Sequence, residues 1–339
     1  MNGGFRTRHD GQFVANSLNS GTAQKGNQEA GIAPQPKESG SASPLPSISL
    51  PKGGGAIRGM GEKFAANPVT GTGSLSVPIP TSPGRSGFGP QLSLSYDSGS
   101  GNGPFGFGWN LSLPSITRKT DKGLPKYHDA AESDVFVLSG AEDLVPVFKK
   151  KSDGDWEYDP EGNLKIDGDE RDGYKVRRYR PRIEGLFARI ERWTSNEGDV
   201  HWRSISKDNI LTIYGRDEQS RIFDPEDESK SRIFSWLICE SYDDKGNAIV
   251  YEYEPENNDG IDLSQANESN RSRKANRYLK RIKYGNRKPL LLDTTVEGFR
   301  GSHIVQPDLA HADWMFEAVF DYGEAVSYTH LTLPTIYSV

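Results

Sequence analysis

Apolar residues recur at every second position along much of the chain. "GSLSVPIP" sets Leu75, Val77 and Ile79 on one face. "PQLSLSYDS" does the same with Leu92, Leu94 and Tyr96, and "NLSLPSITR" with Leu111 and Leu113. A period of two is that of a half-buried β-strand. Pro78 and Pro80 suit an edge or a strand end, because proline has no N–H for a ladder. "VFVLSGAEDLVPVF" reads as strand, turn, strand, and "DWEYDPEGNLKID" sets a Asp-Pro-Glu-Gly turn between two short strands. "GYKVRRYRPRIEGLFARIERWTS" alternates before a longer element, and "DVHWRSISKDNILTIYGRD" and "SRIFDPED" keep the same spacing. "RIFSWLICESYDDKGNAIVYEYEPE" is the clearest hairpin, with Ile249, Tyr251 and Tyr253 alternating after its turn. "NRYLKRIKYGNRK" and "HADWMFEAVFDYG" add strand-like stretches. Helix signals are weak; one short helix capped by Asp262 or Ser264 is the exception predicted. The fold class is therefore all-β, with many antiparallel strands.

Composition agrees with this pattern. The 339 residues include 37 Gly and 21 Pro, and only 34% are hydrophobic. Mean hydropathy is -0.70, which suits strands with one face in solvent. Residues 1–45 are rich in Gly, Ser, Asn and Pro without apolar periodicity, so a disordered tail is predicted there, followed by a β-rich region over 46–325. The final stretch, 326–339, reads differently. "VSYTHLTLPT" back-translates to a string resembling a transposon sequencing adapter, so a non-native tail is predicted; the other reading is a final strand with a Leu-Pro turn.

Net charge is -6, which argues against a broad nucleic-acid footprint. Cys239 is the single cysteine, so neither an intramolecular disulfide nor a Cys-rich metal site can form. The N-terminus has no apolar signal core, and no stretch approaches the roughly 20 apolar residues of a membrane span. Cytoplasmic synthesis followed by release through another route is expected.

One segment invites a nucleotide reading. In "GSGNGPFGFGW", Gly101, Gly103 and Gly106 have dinucleotide-loop spacing. Such a loop needs a helix opening at its end, so that free N–H groups meet a pyrophosphate. Here "LSLPSITR", a strand pattern, follows, and Pro104 removes a donor. Gly101, Gly103, Pro104, Gly106, Gly108 and Trp109 are read instead as a tight structural crossover. Phe105, Phe107 and Trp109 alternate and should share one face against a neighbouring sheet.

These residues also carry a resemblance. "ANPVTGTGSLSVPIP", "LSLSYDSGSGNGPFGFGWNLSLPSITRKT" and "DVFVLSGAEDLVPV", in this order, resemble the N-terminal region of the SpvB/TcaC family, over most of Ile48 to about Gly323. "SYDDKGNAIVYEYE" with "YLKRIKYGN" is similar to the YD repeats of Rhs proteins. The resemblance implies part of an Rhs-like β-shell that encloses a toxic polypeptide. It implies as partners a toxin complex C component with its cargo, and a pore-forming A component contacted through further domains. One branch of the family continues into an actin ADP-ribosyltransferase, for which this region would serve secretion or positioning.

No catalytic, cofactor or metal residues are assigned. Glu252 and Glu254 match a transferase Glu-x-Glu, but sit on a YD-like strand. Asp153, Asp155 and Glu157 start a calcium-loop spacing that Tyr158 and Leu164 break, and "DGDERDG" fails at Arg171. The histidines are scattered. Two basic clusters, Lys175 to Arg182 and Arg271 to Lys288, read as solvated strand faces or as surfaces facing cargo. Trp156 and Trp202, taken as exposed, leave a carbohydrate- or surface-binding module as a third reading.

Overall fold

A computed structural model describes residues 63–67, 71–139, 143–229, 231–258, 261–269, 272–290, 309, 312–322 and 335–338. The tail predicted over 1–45 and most of 326–339 lie outside the described residues. All strands belong to the compact unit Ile57–Val339.

The first sheet is small. β1 (Lys63–Asn67), β2 (Thr72–Ile79) and β3 (Leu92–Asp97) run antiparallel. A two-residue hairpin follows, β4 (Asn102–Gly103) against β5 (Gly106–Phe107). β6 (Trp109–Leu111) then completes the order β1-β2-β3-β6. Pro78 pairs only toward β3, beyond Ser76, the last residue with a β1 partner. No β1 carbonyl therefore requires its missing N–H.

The second sheet closes on itself. Its strands are β7 (Ser115–Arg118), β8 (Phe136–Leu138), β9 (Asp143–Pro146), β10 (Gly168–Arg171), β11 (Tyr174–Pro181), β12 (Arg189–Ser195), β13 (Val200–Ile205), β14 (Leu211–Tyr214), β15 (Arg221–Phe223) and β16 (Ile233–Tyr242). The order β14-β13-β12-β11-β9-β8-β7-β16 returns to β14 through a direct β14–β16 pairing. The result is a closed antiparallel barrel, which leaves no open edge among these strands. β16 is long enough to pair twice along its length. Ser235 to Leu237 meet β7, while Glu240 to Tyr242 meet β17 (Ala248–Pro255). From β17 a second limb continues through β18 (Arg277–Asn286), β19 (Trp314–Asp321) and β20 (Thr335–Ser338).

Aromatic rings fill the barrel. Phe136, Tyr179, Trp202 and Trp236 meet edge to face, with centroids 4.9 to 6.1 Å apart. An eight-stranded barrel is just wide enough for side chains to fill. This placement corrects the reading of Trp202 as a surface aromatic, since it is 0% exposed. β13 is covered on both faces, so polar His201 and Arg203 beside it do not mark solvent. The helix predicted near Asp262 is also not formed among the described residues: 263–269 are turns and a bend. The Asp262 carboxylate accepts from the backbone N–H of Ser264 at 3.0 Å and from its hydroxyl at 2.6 Å, which holds a turn where a helical cap was expected.

Candidate functional site

The glycine-rich segment joins the small sheet to the limb. β5 is followed by the strand β6, so no helix opens there. Three of the segment's amides are committed to the fold. Gly108 N–H donates to Gly101 O (3.0 Å), Ser100 N–H to Asp97 O (3.0 Å) and Gly99 N–H to the Asp97 carboxylate (2.7 Å). Gly106 and Gly108 have φ of +101° and +79°, a region costly for other residues. A Cβ on Gly108 would lie 2.5 Å from the Tyr96 ring and 2.9 Å from Asp97 O. A Cβ on Gly101 would meet nothing within 4 Å. Phe105, at the hairpin tip beside Pro104, is 5% exposed and packs on Phe320 and Tyr322 of the limb, with centroids 6.5 and 6.0 Å away. The single shared face expected for Phe105, Phe107 and Trp109 is not formed. Phe107 is 60% exposed, and Trp109 is half-buried against Tyr96. The positive φ values of Gly106 and Gly108 interrupt the period of two that the expectation assumed.

A second constellation pins the β7–β8 connection to the barrel. The Arg118 side chain, 0% exposed, donates through Nε to Ile233 O (2.7 Å). Its Nη1 and Nη2 hold Asp129 (2.6 and 2.9 Å), and Nη1 also reaches Asp134 (2.8 Å). Its guanidinium carbon lies 4.8 to 5.3 Å from the ring centroids of Tyr127, Phe136 and Trp236. Burial alone would raise the Asp134 pKa, but the Lys126 and Tyr127 amides together with Arg118 hold it below the usual range. Glu132, at φ +49°, accepts from Arg192 (2.6 Å), Arg177 and the Tyr179 hydroxyl (2.6 Å). Burial pushes that phenol up strongly. These carboxylates are saturated with donors. That is how buried charge is tolerated, and it is a poor arrangement for proton transfer. Sequence reasoning missed this cluster. The available signal was Arg118 sharing the inward face with Ile116.

The other singled-out residues stay apart. Glu252 pairs with Lys283 (2.7 Å) and Glu254 with Lys280 (3.7 Å), as cross-strand pairs between β17 and β18. Asp153 accepts from the Asp155 amide (3.0 Å), whereas Glu157 pairs with Lys165 (2.6 Å). Among the described residues no group of three or more His, Cys, Asp or Glu could hold a metal. In the first basic cluster, Arg178 pairs with Asp167 (2.7 Å) and Arg182 with Asp143 (3.5 Å), so much of its charge is spent within the chain. Trp156 is 43% exposed, with Lys150 Nζ 4.7 Å from its ring centroid. Cys239 is buried, and its thiol is pushed up to about 12, chiefly by burial.

Comparison with known proteins places this architecture. The family model for SpvB, the Salmonella virulence plasmid 65kDa B protein, matches residues 67–335. The mono(ADP-ribosyl)transferase SpvB of Salmonella choleraesuis (strain SC-B67) is 39% identical over 280 residues, 81% of this chain and 42% of that protein. The chain thus spans less than half the length of that relative. The solved N-terminal domain of effector protein SpvB from Salmonella typhimurium strain LT2 is 35% identical, with a TM-score of 0.57 over 73% of this chain and 72% of that one. TcdB2-TccC3 is 32% identical, with a TM-score of 0.62 over 86% of this chain and 13% of that one. The Photorhabdus luminescens Tc holotoxin pore gives 33% identity and a TM-score of 0.60 over 82% of this chain and 12% of that one.

Proposed function

Because the chain belongs to the SpvB family, we propose that its strands form a wall segment of a toxin-enclosing β-shell and work by steric enclosure without chemistry of their own. The observation that carries this reading is the ring-closed barrel joined to the β17–β20 limb, together with the likeness to TcdB2-TccC3 over 86% of the chain. A closed barrel supplies a rigid base, and the limb offers a sheet on which a larger wall can grow. Carboxylates held by several donors, and the loop amides of Gly99, Ser100 and Gly108 bonded within the fold, agree with a scaffold. The proposed partners are a second toxin component with its enclosed cargo, and a pore-forming component reached through other domains. Synthesis in the cytoplasm with later release belongs to the same proposal.

The test is a chimera in which residues 63–322 replace the corresponding region of TcdB2 in TcdB2-TccC3. The expected result is an assembled particle whose TccC3 C-terminal region resists protease. A particle that assembles but leaves that region open to cleavage would overturn the reading.

A second reading has its own support, since the 39% identical relative is named as a mono(ADP-ribosyl)transferase. In that case this region positions or exports a transferase domain. Either way, Glu252 and Glu254 serve as strand-pairing residues. Incubating the chain with NAD and actin should give no labelled actin, and labelling lost in E252Q would contradict both readings.

A further inference from the structure

β17 and β18 stay paired as far as Pro255 opposite Arg277, a geometry that a two-residue turn can close. Residues 256–276 stand there instead. An ordered connection of more than roughly 15 residues without strands or helices is uncommon and usually functional. Successive turns hold this one. Gln265 N–H donates to Asp262 O (3.3 Å), and the Glu268 and Ser269 amides donate to Gln265 O (2.9 and 3.0 Å). Its far end is tied down by Arg277. The Arg277 Nε donates to Glu218 O (3.2 Å), its Nη1 to Lys274 O (2.6 Å), and its guanidinium carbon lies 5.3 Å from the Phe223 ring centroid.

The connection wraps around a cleft of about 390 Å³. Two carboxylates, Glu256 and Glu268, and two cations, Arg273 and Lys274, line it, so its formal charge is balanced. Asparagine amides and serine hydroxyls make up most of the remaining lining, and Leu263 is its one apolar residue. Arg273 is 8% exposed, and its Nη2 donates to the Glu268 carboxylate. Its Nε is buried with no acceptor among the described residues. Buried donors nearly always have partners, so this one calls for an acceptor. The side chains of Asn258, Ser272 and Lys274 also line the cleft and make no hydrogen bond among the described residues.

We propose that this cleft binds a neutral sugar of one or two rings. Its volume falls in the range of small-molecule sites, roughly 300–1,000 Å³. A sugar hydroxyl both donates and accepts, so one polyol can answer carboxylates, amides and a guanidinium together. A compact anion would meet Glu256 and Glu268, and a cation would meet Arg273 and Lys274. A hydrocarbon would leave the polar lining unpaired. With Leu263 as the one apolar lining residue, affinity rests on hydrogen bonds of small net worth, and a Kd of about 1 mM is expected. The sugar-binding reading of the sequence looked to Trp156 and Trp202; neither lines this cleft. The site is independent of the shell reading, since it rests on the β17–β18 connection alone.

The test is saturation-transfer difference NMR on the intact chain. The probes are glucose, galactose, mannose, N-acetylglucosamine and lactose, with acetate and methylammonium as charged controls. At least one sugar should show transfer. R273Q should weaken its binding roughly tenfold. S272Y, which fills the cleft from an exposed position, should abolish transfer, and W156A should leave it unchanged. Transfer to none of the sugars, or stronger transfer to a charged control than to every sugar, overturns the proposal. So does transfer that survives in S272Y. Loss in W156A with retention in S272Y overturns it as well and moves the sugar to the Trp156 ring. Should R273Q fail to fold, S272Y decides.

Discussion

At the scale of single residues, packing and conformational freedom give opposed predictions for neighbouring glycines. Gly108→Ala puts a methyl group against the Tyr96 ring and Asp97 O at a φ of +79°. It should cost about 2 kcal/mol or more in urea unfolding. Gly101→Ala, which meets nothing within 4 Å, should stay within about 0.5 kcal/mol of wild type. His201 gives a pH prediction. Its folded pKa is well below 6.5, through burial and then Arg203, Arg216 and Arg221. Between that value and about 6.5 the unfolded chain binds the extra proton, so stability is full above pH 6.5 and falls as pH drops below it. The slope is up to about 1.4 kcal/mol per pH unit. Melting scans from pH 7.5 to 5 should show this decline, and H201Q should flatten it even if it lowers Tm throughout. A slope unchanged by H201Q would show that other groups carry the linkage.

At the scale of elements, the strands could be read from alternation where one face meets solvent. β2 and β3 are such cases; β16 is buried along most of both faces, and the β16–β17 hairpin was legible from its turn residues, with Tyr253 donating its hydroxyl to Ile238 O at 2.8 Å. Alternation was silent where both faces are covered, as on β12 and β13, where Glu191, Arg192, His201 and Arg203 are all buried. Local pattern also carries no record of closure, because the β14–β16 pairing joins residues 211–214 to 238–242 across the ring. The glycine segment was legible as structural from the absent helix. Its two aromatic neighbours were not separable, because a period of two cannot anticipate glycines at positive φ. Phe105→Ala should therefore cost about 3–5 kcal/mol, while Phe107→Ala stays within about 0.5 kcal/mol. Arg118→Met strands Asp129 and Asp134 without their cation and should cost about 3–5 kcal/mol. Denaturant midpoints at constant m would check all three.

At the scale of the whole molecule, three layers of organisation support one another. The aromatic-filled barrel is rigid, the limb extends from β16, and the small sheet locks onto the limb through Phe105 and through Arg85. The Arg85 guanidinium reaches Asn247 Oδ1 (2.7 Å) and Lys245 O (2.9 Å). On the proposed shell role, the sheets must stay nested so that no gap opens beside an enclosed chain. Enclosure by the chimeric particle should thus depend on Gly108, where the backbone of β6 passes close to β3, and be indifferent to Gly101. The decisive measurement is protease resistance of the TccC3 C-terminal region in the chimera carrying wild-type residues 63–322, G101A or G108A. The account predicts protection with wild type and G101A and cleavage with G108A. Cleavage already with the wild-type segment, in a fully assembled particle, would contradict it.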